Sequence, residues 1–403
     1  MKRFLTLIAA TATLLLFSAA DWRQFRGTDL TGVAADSRLP TQFDVKTGEN
    51  VAWTTPLLGK GVSGPIVVRD RVFVTASSGP VTQNRLHVLA FDAKTGQQVW
   101  KRDFWATGRC YHHPTSANAA PTPASDGERI FAFFSSNDLV CLDLDGNLLW
   151  YRGLAHDYPK AGNDVGMSSS PVVVGKTVVV QIENQGDSFA AGIDTETGET
   201  RWRIDRPHAA NWASPGMLRL KDGKELVLLT SGKGLTAHDP LTGEQKWSYD
   251  SGCSIIPSVT AANGRIYLPA NGLTVLDAGE GSAPSLAWES NKVVPGNSSP
   301  VVDGDKVYTL RGSVLVCGNE KDGDVLWQER VKGTFWATPV IAGEHAYCVN
   351  QEGQCLVVQL GEKGQVVSTN ELGEAVLGTP AVAGDALYIR GEKHLIKIAG
   401  ANK

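Results

Sequence analysis

The sequence predicts an all-β fold built from one repeated unit. Residues 91–100 have the pattern of a strand end, a tight turn and a second strand, because Asp92 can bond to the turn amides and Gly96 can take a positive φ. The pattern ends on Trp100, a large apolar side chain on the second strand. Full or shortened copies occur at residues 143–150, 194–202, 239–247 and 322–327. A turn and a tryptophan that recur in this way indicate a repeat protein.

A small residue followed by proline opens each unit and leads into an apolar strand hairpin. These prolines recur with a period near 40–45 residues and are Pro65, Pro123, Pro171, Pro215, Pro257, Pro300, Pro339 and Pro380. A unit of this length holds about four strands, which is the signature of a β-propeller blade. The eight prolines predict an eight-bladed β-propeller of four-stranded antiparallel blades. Seven blades are the alternative if the weak units at Pro257 and Pro339 merge.

The two ends of the chain predict how the ring closes. The last unit supplies strands at 386–390 and 395–398 but has no outer strand and no tryptophan. Residues 43–53 carry the complementary fragment, the last turn and tryptophan strand of a unit whose preceding strands are missing. We therefore expect the N-terminal segment to form the fourth strand of the final blade, because closure removes an exposed sheet edge.

The first residues predict export. A basic pair at 2–3 precedes an apolar run at 4–17 that is too short to span a bilayer, and residues 18–20 offer a small-residue cleavage site. We expect a signal peptide at 1–20, cleaved near Ala20, rather than a membrane anchor. The residue directly after the cleavage site is Asp21 and not the cysteine that lipid attachment would need. We therefore expect a periplasmic or secreted protein that is not a lipoprotein and whose mature chain has no transmembrane segment.

The mature chain is expected to have two parts. Residues 21–45 lack strand alternation and predict an N-terminal arm that packs Trp22 and Phe25 on the body. Residues 46–403 then form a single propeller domain. The formal net charge is −4 and no basic run occurs, which argues against a nucleic-acid partner.

The six cysteines would meet an oxidising compartment after export. Cys141 and Cys317 lie within strand-like runs and are expected to be buried free thiols. Cys348 and Cys355 flank the turn at 350–353, so a disulfide across that hairpin is one hypothesis and free thiols are the other.

The two repeated motifs, Ala/Ser-Pro-Val-Val-x-Gly-Asp and Asp-x-x-Thr-Gly-x-x-x-Trp, together resemble the pyrroloquinoline quinone (PQQ)-like propeller repeat over residues 43–399. In that family the repeated tryptophans dock between blades. The resemblance therefore implies structural docking roles for Trp53, Trp100, Trp150, Trp202, Trp247, Trp288 and Trp327. The unit after Pro339 departs from the pattern, with Val-Val-Ser at 366–368 in place of the tryptophan. Residues 21–27 are similar to the start of exported BamB-like propellers.

Two branches of this family imply different functions. Quinoprotein dehydrogenases bind PQQ and calcium in the funnel and often carry adjacent disulfide-bonded cysteines, and this chain has no Cys-Cys pair. BamB-like members are scaffolds that bind other proteins through loops and strand edges. The length and compact blades of this chain resemble the second branch more closely.

Two polar loops are candidates for chemistry. The loop at 104–122 carries His112, His113 and Asn118, where the paired histidines could bind a metal or act as acid and base; a structural loop is favoured, because two histidines are an incomplete metal shell. A second group, Asp164, Glu183, Asn184 and Asp187, offers the oxygen ligands that calcium prefers. Capping of turn amides by these side chains is the favoured alternative.

A third group surrounds the predicted channel mouth and comprises His208, Asn211, Trp212 and Trp336. The two tryptophans precede inner strands, so they form either a platform for a flat ligand or sugar, or a plug. No serine-hydrolase, phosphate-loop or zinc-protease motif occurs.

We expect an exported, non-catalytic propeller that binds or scaffolds other molecules, and the resemblance to BamB-like members implies a part in envelope protein assembly. Its partner would be another envelope or secreted protein, or a small ligand at the channel mouth, and it would need no cofactor. The alternative is a small PQQ-dependent oxidoreductase, acting on an alcohol or sugar with PQQ and calcium beside these loops.

Overall fold

Eight blades of four antiparallel strands form a ring, and one blade carries a fifth strand that pairs in parallel. The computed structural model describes residues 21–162, 165–279 and 282–400, and all eight sheets lie within this part of the chain. Innermost strands contact one another from blade 2 to blade 6 and from blade 7 through blade 8 to blade 1, while the N-terminal residues 33–34 contact the innermost strands of both blades 6 and 7. The predicted eight-bladed β-propeller is confirmed, and the seven-bladed alternative is wrong because each of the units at Pro257 and Pro339 forms its own sheet.

The first four blades use consecutive strands, each blade running from the channel outward. Blade 1 contains β3 (Ile66–Val68), β4 (Arg71–Ser78), β5 (Arg85–Asp92) and β6 (Gln98–Trp105). Blade 2 contains β7 (Ala124–Ser125), β8 (Arg129–Phe133), β9 (Asp138–Asp143) and β10 (Leu148–Gly153), and the short helix α1 (Leu154–Asp157) follows it. Blade 3 contains β11 (Val172–Val174), β12 (Thr177–Ile182), β13 (Phe189–Asp194) and β14 (Thr200–Asp205). Blade 4 contains β15 (Gly216–Arg219), β16 (Glu225–Ser231), β17 (Gly234–His238) and β18 (Gln245–Tyr249).

The other four blades complete the ring, and two of them use strands from the N-terminal region. Blade 5 contains β19 (Thr260–Ala262), β20 (Arg265–Leu268), β21 (Leu273–Asp277) and β22 (Ser285–Ser290). Blade 6 contains β23 (Val301–Asp303), β24 (Lys306–Arg311), β25 (Val314–Asn319) and β26 (Val325–Arg330). Blade 7 contains β27 (Val340–Ala342), β28 (His345–Val349), β29 (Gln354–Gln359) and β30 (Gln365–Glu371), with β1 (Val33–Ala34) added beside β27. Blade 8 contains β31 (Ala381–Ala383), β32 (Ala386–Arg390) and β33 (His394–Ile398), with β2 (Val51–Pro56) as its outer strand.

Ring closure occurs where the sequence predicts it. Strand β2 pairs antiparallel with β33, with Thr54 opposite Ile396. One core cluster contains side chains of blades 7, 8 and 1 together, including Val72 and Phe91 of blade 1 with Leu387 and Ile396 of blade 8. The junction between the two ends of the chain is therefore buried like the other blade contacts.

The N-terminal arm crosses the channel and bonds to blades on different sides of the ring. Trp22 is buried and exchanges backbone hydrogen bonds with Val67 of blade 1. Gln24 accepts a hydrogen bond from the Val173 amide in blade 3 at 2.9 Å. The arm then forms β1, which pairs in parallel with β27. This strand was not expected, because two residues are too few to show alternation.

The repeated turn has the predicted geometry. The Asp92 carboxylate accepts hydrogen bonds from the Lys94 amide at 3.0 Å and the Thr95 amide at 2.7 Å, and Gly96 has a φ of +71°. These hydrogen bonds lower the pKa of Asp92, and the bond from the Thr95 amide contributes most to that lowering. A one-residue bulge follows, because Gln98 pairs with Phe91 and Trp100 with Ala90, leaving the exposed Val99 unpaired. The bulge rotates the tryptophan toward the next blade.

Each repeat tryptophan packs against the next blade. A Cβ atom added at Gly146 of blade 2 would lie 2.7 Å from the Trp100 ring, and the Trp100 indole N–H donates to the Leu144 carbonyl at 2.9 Å. The same ring-to-glycine contact joins Trp53 to Gly96, Trp150 to Gly198, Trp202 to Gly243, Trp288 to Gly323 and Trp327 to Gly364. Trp247 is buried in a core cluster with side chains of blade 5. Glycine is needed at these turns because a side chain would occupy the place of the indole.

The cysteines of the 350–353 hairpin do not face each other. Val349 lies opposite Cys355, and Cys348 lies opposite Leu356. Successive side chains alternate between the faces of a strand, so the two thiols belong to different core clusters. The disulfide hypothesis is therefore wrong, and all six cysteines are buried free thiols.

Within the described residues, no helix is both long and apolar enough to cross a membrane. The helix α1 has four residues.

We predict that Trp100→Ala lowers the free energy of unfolding by about 3–5 kcal/mol, because it empties the contact between blades 1 and 2. Trp105, on the same strand but 48% exposed, is the matched control. Its contact with the Arg85 guanidinium is worth about 1 kcal/mol or less, so Trp105→Ala should change stability little. Equal losses for both variants in chemical denaturation would contradict docking of Trp100.

Candidate binding site: the central funnel

A ring of hydroxyl groups joins the loops that enter the blades. In each of seven successive steps, the amide before one inner strand donates to a serine or threonine hydroxyl of the next blade, at 2.9–3.1 Å. We call this set the hydroxyl ring, and its hydroxyls belong to Thr122, Ser170, Ser214, Ser258, Ser299, Thr338 and Thr379. The buried amides are thereby satisfied, and each loop is fixed to its neighbour.

Two positions depart from this pattern. Gly64 takes the eighth place, and a Cβ atom there would lie 2.4 Å from the Thr379 carbonyl oxygen, so blades 8 and 1 meet through close backbone contact. In blade 5 the ring hydroxyl is Ser258, followed by Val259 where the other units have proline. Val259 therefore occupies the position of the opening proline, and Pro257, which the sequence pattern took for that proline, lies two residues earlier.

The loops surround a central funnel with a cavity of about 380 Å³. Loops from all eight blades line it, together with Phe25 of the arm. Its walls are formed by hydroxyl and apolar side chains, and His113 is the titratable residue among those that line it. The funnel is therefore a neutral, largely apolar cavity, suited to apolar groups and to hydrogen bonds with uncharged ones.

The arm is anchored beside this cavity by a buried arginine. The Arg26 guanidinium donates to the Val259 carbonyl at 2.8 Å and to the Thr260 hydroxyl at 2.5 Å. Its side chain is 1% exposed, and burial lowers its pKa to about 9. These bonds join the arm to blade 5, opposite the Trp22 contact with blade 1, so Phe25 is held within the channel.

The mouth of the funnel has an apolar rim. Val165, Ile256 and Trp336 line the cavity and are also exposed to solvent, by 41%, 37% and 41%. Ile255 and Tyr111, in the same set of loops, are exposed as well. We call these five residues the apolar rim. Exposed apolar side chains clustered around a concave site are typical of a binding surface.

The two mouth tryptophans line the funnel without filling it. The Trp212 indole N–H donates to the Gly166 carbonyl of the preceding loop at 2.9 Å. The Trp336 indole N–H donates to the Gln351 side-chain oxygen at 3.0 Å. Both rings are held in place by these bonds, and the cavity remains between them. This geometry favours the platform over the plug.

The histidines and Asn118 do not form one cluster. Asn118 is buried and donates to the Asn84 side-chain oxygen at 3.1 Å, while it accepts a hydrogen bond from the Ser136 amide. The His113 ring contacts the Thr115 hydroxyl at 2.8 Å and the His112 ring contacts the His113 carbonyl at 2.9 Å. His208 is exposed in another loop.

Glu183 belongs to a buried ion pair. Its carboxylate accepts hydrogen bonds from Arg206 at 2.6 Å, Asn211 at 3.0 Å and Gln181 at 3.1 Å, and its side chain is 1% exposed. Burial raises the pKa of Glu183, while the Arg206 charge and these hydrogen bonds act in the opposite direction. Both carboxylate oxygens are engaged by protein donors.

Asn184, another of the proposed calcium ligands, also has a local role. Asn184 uses its side chain within its own turn, donating to the Asp187 carbonyl and accepting from the Gly186 amide. Asp164 lies outside the described residues. Among the residues that are described, no group of three or more His, Cys, Asp or Glu side chains could hold a metal ion.

The eight-bladed ring and its repeated turn and tryptophan define a class of protein, the PQQ-like β-propellers. Within that class, the chain belongs to the family described as outer membrane protein assembly factor BamB, whose sequence profile matches residues 25–202, 160–254 and 270–360.

Individual proteins resemble this chain in sequence or in fold. The curated outer membrane protein assembly factor BamB of Burkholderia pseudomallei (strain K96243) is 24% identical over 96% of both chains. The crystal structure of BamB from Moraxella catarrhalis superimposes with a TM-score of 0.65 at 17% identity, covering 88% of this chain and 98% of that one. The quinohemoprotein alcohol dehydrogenase from Comamonas testosteroni has a TM-score of 0.68 at 13% identity, covering 95% of this chain and 81% of that one. Both structures show a shared fold.

We predict that Glu183→Gln lowers the free energy of unfolding by about 3–5 kcal/mol, because it leaves the buried Arg206 without a counter-charge. The double variant Glu183→Gln/Arg206→Met should be more stable than Glu183→Gln alone. Glu199→Gln, at an exposed position, is the control. A Glu183→Gln variant as stable as the control in urea denaturation would show that the pair is not formed.

Proposed function

We propose that this protein is a non-catalytic β-propeller that binds other envelope proteins during the assembly of outer membrane proteins. The observation that carries the proposal is the correspondence with a BamB protein over 96% of both chains. The neutral funnel supports it, because its described lining residues include no carboxylate or lysine to work with His113 in acid–base chemistry.

We infer that the partner binds at the apolar rim. Trp336, Ile256 and Val165 surround a concave, largely uncharged mouth, and this combination suits an apolar segment of a partner protein. Trp336 is the strongest candidate for a central contact, because its ring is exposed while its N–H is already bonded to Gln351.

The proposed location is the periplasm, after cleavage of the signal peptide near Ala20 and without lipid attachment. The support is the basic, apolar and small-residue order of residues 1–20, which lie outside the described residues. An assembly partner in the envelope requires such a location.

The second candidate function, a PQQ-dependent oxidoreductase, is favoured by the fold that the chain shares with quinohemoprotein alcohol dehydrogenase. The residues do not fit that cofactor with calcium. PQQ carries several carboxylates, whereas the described residues that line the main funnel cavity include no arginine or lysine. The nearby cations, Lys60 and Arg390, line an adjoining smaller cavity instead. Glu183, the buried candidate calcium ligand, is already paired with Arg206.

The proposal predicts that the mature protein, cross-linked in the native envelope, is captured with outer membrane assembly proteins. Trp336→Ala combined with Ile256→Ser should reduce the captured amount at least about tenfold, as expected for loss of a central aromatic contact. Leu286→Ser is the matched control, because Leu286 is 53% exposed on the outer strand β22.

Two results would contradict the proposal. One is an unchanged amount of captured partner after both rim substitutions, which would show that the partner does not bind at the apolar rim. The other is stoichiometric binding of PQQ and calcium with alcohol- or sugar-dependent dye reduction, which would establish the oxidoreductase instead.

A further inference from the structure

A second cavity of about 200 Å³ adjoins the funnel. Val62, Thr115, Ser116 and Leu377 line both cavities, so the smaller one is a side branch of the funnel wall. Arg390, the last residue of β32, lines the side branch but not the funnel.

Arg390 is a buried cation without a partner among the described residues. Its side chain is 1% exposed, and all three guanidinium nitrogens lack a hydrogen-bond acceptor there. Burial lowers its pKa to about 9, although the Glu374 charge acts in the opposite direction. The Glu374 carboxylate is itself engaged by the His394 ring at 2.9 Å and by the Lys393 amide. An uncompensated buried charge is strongly unfavourable, so Arg390 requires an acceptor.

The backbone is shaped around this guanidinium. A Cβ atom added at Gly61 would lie 2.4 Å from both terminal nitrogens of Arg390. Any other residue at position 61 would displace the side chain. The other buried cation of blade 8 is different: Lys397 donates to the Ala93 carbonyl at 2.9 Å. Arg390 is therefore held at the cavity wall with its donors unused.

We propose that the side branch binds a single carboxylate group, with Arg390 as its charged donor. A planar guanidinium matches the two oxygens of a carboxylate, and the Ser116 hydroxyl adds a donor on the cavity wall. Lys60 and Glu392 also line the cavity and carry opposite charges, while Glu374 is near Arg390. The side branch therefore has too little positive charge for a dianion such as phosphate. The proposal is independent of the assembly role.

Acetate is the probe for the first test. Thermal unfolding of the mature protein is followed as sodium acetate replaces sodium chloride at constant ionic strength. We expect the melting temperature of the natural protein to rise with acetate, and Arg390→Met to weaken the apparent acetate affinity at least tenfold. Without acetate, Arg390→Met should melt at the same or a higher temperature, because it removes an unpartnered charge.

Lys397→Met is the matched control. It should lower the melting temperature, because it removes a partnered cation of the same blade, and it should keep the full acetate effect. An equal acetate effect in Arg390→Met and in the natural protein would overturn the proposal. A melting temperature of the natural protein that does not rise when acetate replaces chloride would overturn it as well. If Arg390→Met does not fold, the Arg390 side-chain Nε resonance of the natural protein decides, and no shift on acetate addition overturns the proposal.

A peptide pair distinguishes the source of the carboxylate. Binding of a short peptide with a free carboxyl terminus, lost on amidation, supports a chain terminus as the ligand. Binding of acetate without binding of either peptide supports a small carboxylic acid. Equal binding of the free and amidated peptides, each unaffected by Arg390→Met, contradicts carboxylate recognition.

Discussion

The pairing of β2 with β33 is the interaction on which the rest of the structure depends. Every blade packs against two neighbours, so a ring without this pair would expose the outer edge of β33 and unseat Trp53 from blade 1. The same closure fixes the two ends of the chain, because the arm that precedes β2 continues back through blade 7 and across the channel. Loops of eight blades share one funnel only while this circle is closed.

Two repeated sets of contacts hold the closed ring together, one near its axis and one farther out. Near the axis, the hydroxyl ring joins successive loops through buried amides, so that the funnel wall is continuous. Farther out, the bulge and tryptophan of six outer strands reach the turn glycine of the next blade. The strands between them carry the apolar contacts. Side chains in the loops are then free to differ from blade to blade, which is where the apolar rim and the Arg390 cavity arise.

The sequence predicted the fold well because its signals are local and repeated. The Asp92 turn, the Trp100 contact and the split last blade could each be read from a few neighbouring residues. The residues of the hydroxyl ring could be recognised as small residues before proline. Their hydrogen bonds could not be predicted, because only the folded ring brings successive residues together around one axis. Pro257 was misaligned because Val259 replaces the proline of its unit. The two-residue strand β1 was too short to give a pattern.

The candidate site was predicted less well, because it depends on side chains that only the ring brings together. Trp212 and Trp336 line the cavity, and their place before inner strands was the signal that pointed to the channel mouth. Phe25 and Arg390 were not, since one comes from the arm and the other from a strand that reads as ordinary core. Glu183 looked like a metal ligand because its partner Arg206 lies in another loop of the blade.

Amide hydrogen exchange tests ring closure most directly. Under native conditions, the amides that pair β2 with β33 should exchange only through global unfolding, with the same protection as the central strands of blades 3 and 4. Exchange of these amides at a markedly lower free energy, with the other blades still protected, would contradict a ring locked by its N-terminal strand.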